Sequence, residues 1–155
     1  MPVVGWREWV RLGPPERAPV TPLLKVKVDT GARSSALHVV SMEPVELEAG
    51  PGLRFLIHPH QASRSDALWL AAPLVDRRSV RSSSGQETLR PVVHLGIRLG
   101  THAFPAEVTL TRRDRMRFRM LLGRTALRDR FLVDPARSWL QSEPSSPPDP
   151  RAPVP

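Results

Sequence analysis

The stretch Val26-Lys27-Val28-Asp29-Thr30-Gly31-Ala32 decides how this chain is read. Leu24, Val26 and Val28 alternate with Lys25 and Lys27, so residues 23–28 form a half-buried β-strand with its apolar side chains on one face. That strand runs straight into Asp29-Thr30-Gly31. A carboxylate at this point is carried by a rigid element, Gly31 lets the backbone pass close beside it, and the Thr30 hydroxyl can donate a hydrogen bond. Asp and Gly are also common in turns, so the tripeptide alone reads first as a plain strand-ending turn.

A second element lifts it above that background. Met120-Leu121-Leu122-Gly123-Arg124-Thr125-Ala126-Leu127 is an apolar strand, then Gly, then Arg, opening a short helix expected over 124–131. Between the two elements the segments are short, β-branched or alternating, and bounded by turn residues, which is the pattern of a mostly β domain. Further strands are expected over 36–42, 53–58, 66–73, 88–95 and 103–110. Residues 78–87, centred on Ser82-Ser83-Ser84-Gly85, read as the tip of a long polar hairpin, and 13–19 as a proline-rich loop.

Length and composition bound the function. A chain of 155 residues, 40% hydrophobic and 25% charged, fits one ordinary globular domain. Six of the 18 prolines fall within 143–155, so residues 1–140 are expected to fold and 141–155 to form a disordered proline-rich tail. No apolar run approaches the roughly 18 residues that span a bilayer. Met1-Pro2-Val3-Val4-Gly5-Trp6-Arg7-Glu8-Trp9 also lacks the basic and apolar regions of a secretory signal, so a cytoplasmic location with no membrane partner is expected.

Cysteine is absent, which excludes disulfide scaffolds, thiol catalysis and Cys-ligated zinc. No His-Glu-x-x-His is present, and Pro59 between His58 and His60 disturbs the one close histidine pair, so no metal site is expected. No Gly-x-x-x-x-Gly-Lys-[Ser/Thr] loop is present and Lys25 and Lys27 are the only lysines, so no nucleotide or other cofactor is called for. Residues 112–130 hold eight arginines against Asp114 and Asp129, a local balance of +6 within a net charge of +8. Such a stripe is a solvated face or a surface for an acidic protein. Nucleic acid is disfavoured, because the chain has no Tyr and only Phe118 is interleaved with those arginines. Trp6, Trp9, Trp69 and Trp139 read as core or dimer-contact residues.

The Asp-Thr-Gly loop, the later strand with its Gly-Arg, and the polar hairpin between them resemble the retropepsin-like aspartic peptidases, in which that hairpin is a flap closing over substrate. Three stretches narrow the resemblance: Gly5-Trp6-Arg7-Glu8-Trp9-Val10, Lys25 through Asp29-Thr30-Gly31-Ala32-Arg33-Ser34-Ser35-Ala36-Leu37-His38, and Leu121 to Leu127 followed by Phe131-Leu132-Val133-Asp134-Pro135-Ala136-Arg137-Ser138. They are similar to a bacterial family often labelled ATP-dependent zinc protease and associated with the ATP-grasp ligase that adds glutamates to a ribosomal protein. The resemblance implies a closed retropepsin-like β-barrel with one short C-terminal helix. It implies catalytic Asp29, Thr30 and Gly31, substrate contacts at Ala32, Arg33, Ser84 and Gly85, and structural support from Gly123, Arg124 and Asp134. The metal and nucleotide in the label have no counterpart in the motifs, so any ATP dependence belongs to a partner.

An aspartic peptidase needs two carboxylates about 3 Å apart sharing one proton. This chain offers one Asp-Thr-Gly, so the pair must come from Asp29 of two subunits in a C2 homodimer. Retropepsins often carry an Asp where Arg33 stands, paired with the Arg of the Gly-Arg element. Without it Arg124 is expected to find another carboxylate, Asp134 first, while Arg33 faces either solvent or substrate. The implied substrate is a peptide or protein with acidic, glutamate-rich segments, polyglutamylated tails made by the ligase among them, and the ligase is a candidate partner. The rival reading is a catalytically silent β adaptor that holds an acidic partner or a ribosomal component through the arginine-rich face.

Overall fold

A computed structural model describes residues 1–15, 17–58, 67–81, 84–112 and 118–142. The chain runs β1 (Val3–Gly5), β2 (Arg7–Gly13), β3 (Leu24–Val28), β4 (Ser35–His38), β5 (Ser41–Leu47), β6 (Gly50–Ile57), β7 (Leu68–Arg81), β8 (Glu87–Leu99), β9 (His102–Thr111), β10 (Met120–Leu122), α1 (Arg124–Leu127) and β11 (Leu132–Asp134). The alternation expected of Leu24, Val26 and Val28 is realised: all three are buried while Lys27 is exposed. The same alternation along β8 and β9 turns Val93, Leu95, Ile97, Leu99, Phe104, Ala106, Val108 and Leu110 into the common core.

The strands β2, β3, β10, β4, β9 and β8 are hydrogen-bonded in that order, and β8 returns to β2, closing a six-stranded barrel. The fold is therefore the mostly β, closed, retropepsin-like barrel that the sequence implies. Closure depends on the length of β8. Its C-terminal part pairs with β2 through Gly96, Ile97 and Arg98, and its N-terminal part pairs with β7 from Val93 to Glu87. Beyond β8 the strands β7, β6 and β5 continue as an antiparallel meander. A bulge between Leu74 and Asp76 marks where β7 leaves β6 for β8. Among the described residues, no helix is long and apolar enough to cross a membrane.

Two boundaries differ from the sequence reading, and each has a local cause. The strand expected over 36–42 is two strands, because Val39 N–H donates to Thr111 O while Val40 N–H donates to Leu56 O. Successive residues thus leave the barrel for the meander. The helix expected over 124–131 stops at Leu127, since Arg128 leaves the helical region with ψ 132° and Asp129 takes a left-handed φ of 63°. The reversal drives Phe131 back onto Phe104 and His102.

Strands β1 and β11 pair in parallel as a small second sheet, and beneath them lies Glu8, a wholly buried carboxylate. Its oxygens accept the N–H groups of Gly5 at 2.7 Å, Leu140 at 2.8 Å, Gln141 at 3.2 Å and Ser142 at 3.0 Å, and the Ser142 hydroxyl at 2.6 Å. Trp9 stacks on Trp139, and the Arg7 guanidinium lies between Trp6 and Trp139. The Gly5-Trp6-Arg7-Glu8-Trp9 run thus clamps the C-terminal strip, and packed chain continues to Ser142 rather than ending near Leu140. The remaining tail, 143–155, lies outside the described residues. A chain stopped at Leu140 loses the Gln141 and Ser142 donors to Glu8, each charge-assisted bond worth about 1.5–3 kcal/mol. Thermal denaturation is expected to place its Tm about 5 °C or more below that of a chain stopped at Ser142. Equal Tm values would show that the clamp does not carry that energy.

Candidate active site

The loop from Asp29 to Ser34 joins β3 to β4, and β10 inserts between these two strands. It runs parallel to β3, with Leu122 beside Val28, and antiparallel to β4, with Leu121 beside Ala36. Gly123 makes the insertion possible: a Cβ there would lie 2.6 Å from the Ser34 carbonyl, so any other residue would push β10 away from the loop. Main-chain bonds then fix the loop from both ends. Asp29 N–H donates to Leu122 O at 2.8 Å, Arg124 N–H to Ala32 O at 2.8 Å, and Thr125 N–H to Arg33 O at 3.0 Å. The buried Ser35 hydroxyl accepts Gly123 N–H at 3.1 Å.

On this scaffold the Asp29 carboxylate is half-buried and accepts Gly31 N–H through Oδ1 at 3.0 Å. Oδ1 would lie only 3.2 Å from a Cβ on Gly31, so the glycine keeps space beside the carboxylate. Thr30 is exposed, and its hydroxyl makes no hydrogen bond among the described residues. Ala32 and Arg33 continue the loop, with Arg33 exposed and its guanidinium unpaired among the described residues.

The structure thus brings Asp29, Thr30, Gly31, Ala32 and Arg33 together with Gly123 and Arg124, and keeps the remaining candidates elsewhere. Arg124 does not pair with Asp134, as the sequence suggested. Its Nη1 donates to the Thr30 carbonyl at 2.9 Å, while Asp134 ends β11 in the other sheet and accepts Ala136 N–H at 3.0 Å. A cation on a loop carbonyl replaces the expected ion pair. Ser84 and Gly85 sit exposed at the tip of the β7–β8 hairpin, Gly85 at φ 87°, a conformation that favours glycine. The arms of that hairpin are cross-linked by Arg81 and Glu87 at 3.1 Å, and Leu89 is exposed on one of them.

Beside the Asp29 loop opens a cleft of about 480 Å³. Arg33 and Ser34 form one wall, Thr125, Ala126 and Arg130 another, and Arg78, His94 and Glu107 reach it from β7, β8 and β9. Of these basic residues, only Arg33 and Arg130 carry a sequence signal. Arg78 donates to Asp76 at 2.8 Å and to Glu107 at 2.6 Å. The hydrogen bond from Arg78 holds the Asp76 carboxyl below the usual carboxylate range, and Glu107 with Asp76 raises the Arg78 guanidinium in turn. Among the described residues, no group of three or more His, Asp and Glu side chains could hold a metal ion, and His60 lies outside them.

Against known proteins, the chain matches over residues 3–144 a family described as RimB-like, "Retropepsin-like aspartic endopeptidase RimB". A protein of Shewanella halifaxensis named "Probable alpha-L-glutamate ligase" is 41% identical over 137 residues, covering 88% of this chain and 29% of that one. A protein of the same name from Parasynechococcus marenigrum is 39% identical over 136 residues, covering 88% and 28%. The chain therefore spans less than a third of the length of these relatives. The crystal structure of a Legionella pneumophila protein of unknown function, Lpg0085 of family DUF785, superposes with a TM-score of 0.71 at 29% identity, covering 90% of this chain and 98% of that one. A braced Asp-Thr-Gly loop on a closed barrel and a family match along nearly the whole chain agree: this chain belongs to the RimB-like family of retropepsin-like aspartic endopeptidases.

Proposed function

We propose that the chain is an aspartic endopeptidase that works as a homodimer and hydrolyses peptide bonds in glutamate-rich protein segments. The observation that carries this reading is the Asp29 carboxylate, held by Gly31 N–H and a rigid β3–β10 scaffold yet open on its far side, next to a Thr30 hydroxyl with no partner among the described residues. Both are what a loop meeting its own two-fold copy would present. One Asp29, ionised, takes a proton from water as the water oxygen bonds to the amide carbon. The other, protonated, gives its proton to the carbonyl oxygen, and the tetrahedral intermediate collapses with proton transfer to the leaving amine. The small β1–β11 sheet favours pairing of two copies, because Val3 and Leu132 stand side by side on it and are 36% and 56% exposed.

The substrate class follows from Arg33, a cation four residues beyond Asp29 that is unpaired among the described residues. Relatives named for glutamate ligation carry a segment like this chain within a longer protein, which supports action on glutamate-rich chains beside such a ligase. The test incubates the purified protein with a peptide ending in a run of glutamates and with a neutral analogue, each with and without EDTA, and reads products by mass spectrometry. Cleavage of the acidic peptide, unaffected by EDTA, is expected. Loss on chelation with recovery on adding zinc would overturn the aspartic mechanism, and tight binding without cleavage would make the chain an adaptor.

A further inference from the structure

We propose that the cleft beside the Asp29 loop is an anchoring site for a substrate side-chain carboxylate, held by Arg33 and Arg130 and by Arg78 once Glu107 releases it. This rests on the reading of the substrate as glutamate-rich and adds where, away from the scissile bond, an acidic side chain docks. Its volume of about 480 Å³ lies within the range of small-ligand sites. Its lining carries three guanidinium groups against the single carboxylate of Glu107.

The three arginines are not equivalent. Arg33 lies in the loop that bears Asp29, and among the described residues its guanidinium donates to no protein group. Arg130 is seated over the Phe104 ring, 4.9 Å from its centroid, and donates only one long bond of 3.4 Å to Ala126 O, so the fork is positioned but largely unused. A guanidinium with free donors matches a carboxylate in two-point fashion, which a neutral side chain cannot imitate. Arg78 is held through Nε by Asp76 and through Nη2 by Glu107, whose side chains are 47% and 51% exposed, so release by Glu107 frees the Nη2 end while Asp76 keeps the guanidinium in place. An ion pair that open is weak, so an arriving carboxylate can take its place. Glu107 thus stands in for the substrate's acid when the cleft is empty, keeping Arg78 extended across it, and makes the cleft selective for ligands that bring their own negative charge.

The experiment measures binding of fluorescent hexaglutamate by anisotropy to the full chain carrying Asp29→Asn, so that the peptide is not consumed. Arg33→Ala and Arg78→Ala are each expected to weaken binding about tenfold, the loss of one charge-assisted contact. Glu107→Gln is expected to tighten it several-fold. Arg54→Ala and Glu43→Gln serve as controls, because that exposed pair on the meander carries the same charges away from the cleft. Both controls should leave Kd within about twofold, as long-range charge alone is screened at physiological salt. The inference is overturned if the controls shift Kd as much as the cleft variants, if Arg33→Ala and Glu107→Gln leave Kd unchanged, or if an oligonucleotide displaces the peptide better than unlabelled hexaglutamate. Cleft-dependent binding by a wild type that does not cleave would instead sink the peptidase reading and leave the anchoring site standing.

Discussion

Replacing Asp29 by asparagine is expected to abolish peptide hydrolysis while the protein stays folded. The amide is nearly isosteric, and its oxygen can still accept Gly31 N–H in the place of Oδ1. The loop is held chiefly by main-chain bonds to Leu122, Arg124 and Thr125, none of which involves the carboxylate. What disappears is the base that takes the proton from water and the shared proton that polarises the carbonyl. General acid–base groups contribute about 10²–10⁴ in rate each, and in the proposed symmetric dimer one substitution removes both partners of the pair. Turnover should therefore fall at least a thousandfold on that scale, with thermal denaturation and circular dichroism unchanged. A variant that keeps a tenth or more of the activity on that scale would remove Asp29 from the chemistry.

Glu8→Ala is expected to be the most destabilising single change in the chain. Four main-chain N–H groups and the Ser142 hydroxyl converge on that carboxylate, and Glu8 is fully buried. Alanine removes the buried acceptor on which these donors converge, a loss of about 3–5 kcal/mol where total stability is about 5–15 kcal/mol. Tm should drop by about 10 °C or more. The C-terminal strip would come loose first, and with it β11, so formation of the proposed dimer should weaken in parallel. Glu8→Gln keeps one acceptor oxygen and should fall between wild type and alanine. A Tm for Glu8→Ala within about 2 °C of wild type would mean that the clamp is not what joins the two ends of the chain.

The contrast between these residues shows what the sequence makes legible. The Asp29 loop and the Gly123-Arg124 element announce themselves locally, through alternation at Leu24, Val26 and Val28 and through glycines where backbone must pass close. Glu8 has no such signal: nothing between Arg7 and Trp9 marks it, and three of its four main-chain partners are amides more than 130 residues away. Main-chain donors and acceptors have no residue identity, which is also why Arg124 was expected on Asp134 and not on the Thr30 carbonyl. The division of 36–42 into two strands was hidden because Val39 and Val40 keep the same character while changing neighbours. The cleft lies beyond local pattern altogether, since Arg78, His94 and Glu107 meet only through the pairing of β7, β8 and β9. In the described part of the arginine run over 112–130, Arg124 braces the loop and Arg130 lies on Phe104, contacts that the run itself does not announce, while Arg113, Arg115 and Arg117 fall outside the described residues.

The central claim, a catalytic pair shared between two Asp29 side chains, is tested most directly by mixing. Wild type and Asp29→Asn protein are combined at constant total concentration, allowed to exchange subunits, and assayed for cleavage of the glutamate-rich peptide. A shared pair is intact only in wild-type homodimers, so activity should follow the square of the wild-type fraction, about a quarter of full activity in an equal mixture. Activity proportional to the wild-type fraction, about a half in that mixture, would mean that each subunit works alone and would contradict the account.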